Sequence, residues 1–324
     1  MAEAVVLDRW EATDVRLGQV IDSLTQLRNS VARTASRVSV MTLVVIAADD
    51  DEAYRATAAL HALGSHHPAR IILLRPEPDE GATGVDARVA VYASADGGHQ
   101  VTFDEVGLTV RGAAAFHLKS IIEPFTLPDL PVVLWYPGEL PSTTEPLVAD
   151  ADTVLVDSKE TGEAFAALAE LIRRRVVVDL SWARLRPWRE LIAALFEGPA
   201  YRPFVGGVTS VEVAGKPGPR RLMAGWLVSR LRIATSQVHL REDRHVQITV
   251  HTAIDGTTAT FALARGPGER VVRAGAHVDG GPSHEEVLSL PDDSLAWSLA
   301  QSLTHLSRDR VWERAVTAAI VLGR

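Results

Sequence analysis

The sequence predicts an α/β protein: a mostly parallel sheet with an antiparallel insertion, plus a second, smaller α+β domain. Short unbroken apolar runs, Val132 to Leu134 the clearest, mark strands buried on both faces. Over the first part of the chain such runs alternate with stretches of helical periodicity, the pattern of β-α-β units in a parallel sheet. Beyond a connector at Glu197 to Pro203, rich in turn residues, strands follow one another directly and helices close the chain. At 324 residues the chain is long for one hydrophobic core. The domains are read as 1–180 and 181–324.

After a start without regular structure, Val15, Leu17, Val20, Ile21, Leu24, Leu27 and Val31 recur at helical spacing behind Asp14, a good N-cap. Val38 to Ala48 reads as a buried strand. Asp49, Asp50, Asp51 and Glu52 then open a helix that ends near Leu63, with Gly64 as its C′ residue. Arg70 to Leu74 completes the first β-α-β unit, whose crossover is right-handed. A loop at Pro76 to Gly84 leads to Ala87 to Ser94 and Gln100 to Val110, which flank a turn signal and read as a hairpin. Ala113 to Ile122 is a helix that Pro124 ends. The strand at Val132 follows Pro131, placed where a missing N–H costs least. Further strands are read at Thr153 to Asp157 and Val176 to Leu180, with a helix at Gly162 to Arg174 between them.

Pro187 starts a helix at the favoured first position, with Trp188, Leu191, Ile192 and Leu195 on one stripe. The second domain is read as a strand at Val208 to Val213, a turn at Gly215 to Pro219 and a helix at Arg221 to Leu231. Strands follow at Val246 to Thr252, Thr258 to Ala264 and Arg270 to Ala274. Two closing helices carry stripes at Leu295, Leu299, Leu303 and Leu306, and at Trp312, Val316 and Ala319.

Net charge is −8, from 33 Lys+Arg and 41 Asp+Glu, a poor balance for binding nucleic acid. No apolar run approaches the ~20 residues that span a bilayer, and the start lacks the basic and apolar regions of a signal peptide. A cytoplasmic protein is expected, with neither nucleic acid nor membrane as partner. With 0 cysteines there is no disulfide framework, thiolate metal site or thiol switch in the chain.

No G-x-S-x-G elbow, Walker loop or G-x-G-x-x-G fingerprint is present. Asp49 to Glu52 lie where a sheet's carboxyl edge meets ligands, but acids in a first helical turn chiefly cap N–H groups and suit the helix dipole. His61, His66 and His67 lack metal-ligand spacing, and His245 and His251 lie too far apart to chelate. No cofactor, no metal and no catalytic residue is expected. Trp188, Trp226 and Trp312 sit on apolar stripes and read as core. Trp135, Tyr136 and Trp182 stand at strand ends beside prolines and arginines, and Trp, Tyr and Arg are the residues most enriched at interface hot spots. Six arginines (173, 174, 175, 184, 186 and 189) against one acid, Asp179, make a local basic patch. Trp135, Tyr136, Trp182, Arg184, Arg186 and Arg189 are therefore the candidate partner-binding residues. Packing between the domains, or a solvated face for the arginines, is the alternative.

The segments 127–136 (LPDLPVVLWY), 179–191 (DLSWARLRPWREL) and 224–231 (AGWLVSRL) resemble signatures of the OpcA family. These are glucose-6-phosphate dehydrogenase assembly proteins of actinobacteria and cyanobacteria. The strand from Ser39 to Ala47, with its acidic helix start, fits as well, and the resemblance runs from about Val15 to Ile320. It implies a non-catalytic allosteric activator that binds glucose-6-phosphate dehydrogenase and promotes its active oligomer in the oxidative pentose phosphate pathway. Redox control is associated with cysteines in the pathway's cyanobacterial members, which this chain lacks. The competing reading is a phosphosugar-binding enzyme or sensor acting on a sugar phosphate or lactone.

Overall fold

The computed structural model describes residues 4–31, 36–37, 39–63, 67–96, 99–160, 162, 164–266 and 270–322. In chain order the strands are β1 (Val5–Ala12), β2 (Ser36–Arg37), β3 (Met41–Ile46), β4 (Ala69–Glu77) and β5 (Gly84–Asp96). Next come β6 (His99–Arg111), β7 (Val132–Trp135), β8 (Thr153–Val156), β9 (Val176–Asp179), β10 (Val208–Gly215) and β11 (Val238–Glu242). The last four are β12 (Gln247–Ile254), β13 (Thr257–Arg265), β14 (Val271–Val278) and β15 (Ser283–Ser289). The α-helices are α1 (Leu17–Val31), α2 (Asp50–Leu63), α3 (Leu118–Ile122), α4 (Pro146–Asp150) and α5 (Phe165–Arg174). They continue with α6 (Leu180–Arg184), α7 (Arg186–Ala194), α8 (Pro217–Leu231), α9 (Leu295–Leu303) and α10 (Arg310–Val321).

Two compact units interleave along the chain. The first comprises Met1–Asp157, Arg174–Val178 and Leu295–Ser307. It is built on a 9-stranded sheet of order β1-β5-β6-β4-β3-β7-β8-β9, with β2 on β6. β3 is buried throughout and lies parallel between β4 and β7, with Val45 opposite Trp135. The chain leaves β3 for β4 on one side and returns to β7 on the other, so the strand order reverses between β3 and β7. In open α/β sheets such a reversal opens a crevice at the carboxyl edge. The antiparallel insertion is the β5–β6 hairpin, with β1 antiparallel to β5 along the edge. The fold class read from the sequence is the one observed.

The second unit comprises Ser158–Arg173, Asp179–Ser294 and Arg308–Arg324. Its 6-stranded sheet has the order β11-β10-β12-β13-β14-β15, antiparallel except for the β10–β11 pair. One face is core: Val211, Val213, Ile248, Val250, Phe261 and Leu263 are nearly or fully buried. Phe196 stacks on Phe261 at 3.9 Å, and Phe204 joins it, so the connector after α7 is a packed corner.

Several elements differ from the sequence reading. The start is a strand, β1, whose exposed Val5, Val6 and Leu7 give no alternation because the strand lies at a sheet edge. Ala113 to Ile122 is mostly 3₁₀ chain (Gly112–His117) followed by the short α3, and Pro124 sits in a second 3₁₀ turn, Glu123–Phe125. The turn read at Gly215 to Pro219 is the first turn of α8, where Pro217 needs no N–H. β11 and β15 were not read as strands, being short on apolar residues at the two sheet edges. The expected Gly64 cap and the tip of the hairpin at 97–98 fall outside the described residues.

Candidate functional site

At the carboxyl edge of the first sheet, Trp135 ends β7 with 0 % of its surface exposed, in register with Val45 and Leu155. Its Nε1 has no hydrogen-bond partner among the described residues. Tyr136 follows, its N–H donating to the Leu155 carbonyl at 3.1 Å. Its ring is half-buried, and its hydroxyl has no partner among the described residues. Burial pushes the Tyr136 phenol well above its ordinary range, and the neighbouring Glu145 charge adds to the shift. Desolvation raises the Glu145 carboxyl in turn.

The acids after β3 serve α2. The Glu52 N–H donates to Asp49 Oδ1 at 2.8 Å, and Glu52 Oε2 accepts from the Ala48 N–H at 2.9 Å. Two orphan donors at the helix start are thereby satisfied, as a cap requires. Asp50 pairs with Arg75 at 3.2 Å. Gly138 lies so close to Glu52 that a Cβ there would displace the Glu52 carboxylate from its present place.

The second signature, 179–191, is consumed by a network within the second unit. Asp179 caps α6 through the Ser181 N–H at 2.9 Å, accepts from the Ser158 N–H at 3.0 Å, and accepts from Trp312 Nε1 at 3.3 Å. Trp182, 9 % exposed, donates from Nε1 to Asp309 at 2.7 Å. Asp309 also caps α10 through the N–H groups of Val311 and Trp312, at 2.8 and 3.1 Å. The Arg189 guanidinium lies 3.1 Å above the Trp182 ring. Burial pushes that guanidinium down to about 9, opposed by the Asp309 and Glu190 charges. Ser181 Oγ accepts from the Lys159 N–H at 2.9 Å. Arg186 is exposed and pairs with Glu190 at 2.8 Å, and Arg184 is half-buried.

Of the six candidate contact residues, the structure joins Trp182 and Arg189 in one stack and leaves Arg186 on the surface. Trp135 and Trp182 are buried rings, 0 % and 9 % exposed. Trp135 lies between two parallel strands, and the Trp182 N–H is satisfied by a carboxylate. Within the basic run, Arg173 pairs with Glu170, and Arg175 donates to the Val148 carbonyl at 2.7 Å.

The sequence reading missed Asp309, although an acid before an apolar helical stripe is a cap signal. It also missed two consecutive acids inside β6. Asp104 meets Arg28 at 2.8 Å, and Glu105 meets His61 and Arg88, both at 2.7 Å. The His61 ring lies 4.2 Å from that of Tyr92, whose phenol burial pushes up to about 12. Among the described residues no three His, Asp or Glu side chains converge as metal ligands, and no helix is long and apolar enough to cross a membrane.

Residues 60–177 match the family model described as the glucose-6-phosphate dehydrogenase subunit N-terminal domain, and 175–316 match that of the C-terminal domain. The chain is 30 % identical over 183 residues to the OxPP cycle protein OpcA of Synechocystis, covering 52 % of this chain and 38 % of that protein. It is likewise 30 % identical over 178 residues to the protein of that name from Nostoc punctiforme, covering 51 % and 38 %. The chain thus spans well under half the length of these relatives. A solved chain titled glucose-6-phosphate 1-dehydrogenase from Mycobacterium avium overlays with a TM-score of 0.46 and 9 % identity, over 87 % of this chain and 90 % of that one.

Proposed function

Since its two halves match the two domain models, the chain belongs to the OpcA family of glucose-6-phosphate dehydrogenase subunits, and we propose that it is a non-catalytic, cytoplasmic activator of that dehydrogenase. It binds the enzyme and favours its active oligomer by preferring that arrangement over the inactive one. A preference of about 100-fold corresponds to roughly 2.7 kcal/mol, within reach of one or two hot-spot side chains.

The observation that carries this reading is the joint match of both halves to a family described as a subunit of that enzyme. The geometry supports it in a second way. Of the ionisable groups that stood out in the sequence, Asp49, Glu52 and Asp179 are committed to helix caps and backbone N–H groups, and Asp50 pairs with Arg75, a structural use. Contact falls to the side chains of the signature segments that reach solvent: Arg186, Arg184 and Tyr136. Trp135, Trp182 and Arg189 hold those segments in place. A sugar phosphate is the poorer fit at the sheet's carboxyl edge, because Asp49, Asp50 and Glu145 would repel its dianion.

The test is the rate of the purified dehydrogenase with and without this chain, together with co-elution of the two. A raised rate and a joint peak are expected. Unchanged kinetics with no joint peak would remove the proposal, and co-elution without activation would reduce it to a scaffold. Saturable binding of glucose-6-phosphate by this chain alone would revive the sugar-phosphate reading.

A further inference from the structure

The second sheet has two unlike faces. Val211, Val213, Ile248, Val250, Phe261 and Leu263 fill the inner one. The other face is half to fully exposed apart from Ala214 at its β10 end, and strand register places its side chains in cross-sheet rows. One row runs His239, Glu212, Thr249, Ala262, Gly275, Glu285 from β11 to β15. On β14 Gly275 lies between Arg273 and His277, which share its face by the two-residue alternation of a strand. The middle of this face carries Gln247, Thr249 and His251 on β12 and Thr260, Ala262 and Ala264 on β13, without a carboxylate, lysine or arginine, while its two flanks differ in kind. Glu212, His239 and Arg241 stand on one flank, Arg241 paired with Asp243 of its own chain, and Arg273, His277, Glu285 and the exposed Val287 on the other.

That distribution is self-complementary. A two-fold axis parallel to the strands, running between β12 and β13, lays this face on a second copy with β10 over the partner's β14 and β11 over its β15. Rows are preserved by such a rotation. Each Glu212 then meets Gly275 of the other copy between that copy's Arg273 and His277, and each His239 meets Glu285. An axis perpendicular to the strands would instead set Glu212 on Glu212. Six strands at ~4.8 Å spacing and about seven residues at ~3.3 Å give a face of roughly 650 Å². That approaches the roughly 800 Å² per partner of a standard interface. Small side chains let two sheets pack face to face at ~10 Å. Arg273 holds Glu285 of its own chain at 3.1 Å, with side chains 56 % and 63 % exposed. A pair so exposed is weak and can exchange partners.

We propose that this chain forms a two-fold dimer through the open face of β10–β15, held at its flanks by Glu212 against Arg273 and His277 of the second copy. The proposal stands independently of the dehydrogenase partnership. Sedimentation of the full chain at micromolar concentration tests it. The wild type should run as a dimer, and E212R and R273E should each run as monomers with at least ~10-fold weaker association, like charges now facing each other. An equimolar mixture of the two variants should recover the dimer. In the mixed pair the introduced arginine faces the introduced glutamate, and the untouched Glu212 faces the untouched Arg273. Ala262→Arg, at the centre, should give a monomer without altering either flank and serves if a flank variant misfolds. A monomeric wild type, variants that stay dimeric, or a mixture that stays monomeric would overturn the proposal. A monomeric wild type whose dehydrogenase binding falls with E212R would do so too, and would give the face to that enzyme.

Discussion

Asp179 and Arg186 lie seven positions apart in one signature segment, yet their expected contributions differ several-fold. Asp179 satisfies two backbone N–H groups and an indole N–H in a site where it is 3 % exposed. Replacing it with alanine removes a helix cap and strands buried donors, each costing about 1–3 kcal/mol. Asp179→Ala should therefore lower stability by at least ~3 kcal/mol, read from the urea midpoint. Arg186→Ala should change stability by under ~0.5 kcal/mol, since an exposed i,i+4 pair contributes little. If Arg186 touches the dehydrogenase, its loss should appear in activation instead. Tyr92 offers a pH test. It is 5 % exposed, and burial holds its phenol at about 12, against ~10 in an unfolded chain. Between those values the unfolded chain has lost a proton that the fold retains. The stabilisation is thus complete below pH ~10 and is lost as pH rises toward 12, by at most about 2.7 kcal/mol. Tyr92→Phe should flatten the fall in stability over that window, followed by circular dichroism. Trp182 was legible as an unusual residue, but its use was not. Its indole bonds Asp309 across 127 positions of sequence, a pairing that no local spacing encodes.

At the level of elements, the parallel strands were the most legible part, because β3, β7 and β8 are buried on both faces and read as continuous apolar runs. The edge strands β1, β11 and β15 were lost for the opposite reason. None of their side chains is buried, and β1 and β11 pair with strands distant in sequence. The helices that were read correctly still hide what sets their spacing. In α8, a Cβ on Gly225 would overlap the Ala315 carbonyl oxygen and come within 2.9 Å of the Ala319 amide nitrogen in α10. Backbones that close cannot accommodate a methyl group without the helices moving apart. Gly225→Ala should cost about 1–3 kcal/mol despite its better helix propensity, and should broaden near-UV signals from Trp312. Gly18 in α1 has nothing within 4 Å of its Cβ position. Gly18→Ala should stabilise by about 0.5–1 kcal/mol through propensity alone. Equilibrium unfolding of the two variants separates close packing from propensity.

At the scale of the molecule, a cut read at 180 and the contacts of the fold obey different rules. The two family models meet at 175–177. Contacts, however, send Leu295–Ser307 back to the first unit and place Ser158–Arg173 in the second. Within the first unit α9 packs against α2, with Leu299 and Leu303 at 0 % and 4 % exposure. Residues 1–180 alone would lack both leucines and uncover the Leu60 and Leu63 side of α2. Burying a leucine is worth about 1.5–3 kcal/mol, so the pair amounts to roughly 3–6 kcal/mol, a large part of the 5–15 kcal/mol that holds a typical domain. The piece 1–180 should therefore exchange amide hydrogens in α2 far faster than the whole chain. Joining residues 290–307 to it through a flexible linker should restore most of the protection. Equal protection of α2 in the two pieces would mean that α9 adds little to the first unit. Pull-down of the dehydrogenase by separate domains is informative only with pieces that pass this exchange measurement, since a piece lacking α9 would expose apolar surface able to bind any protein.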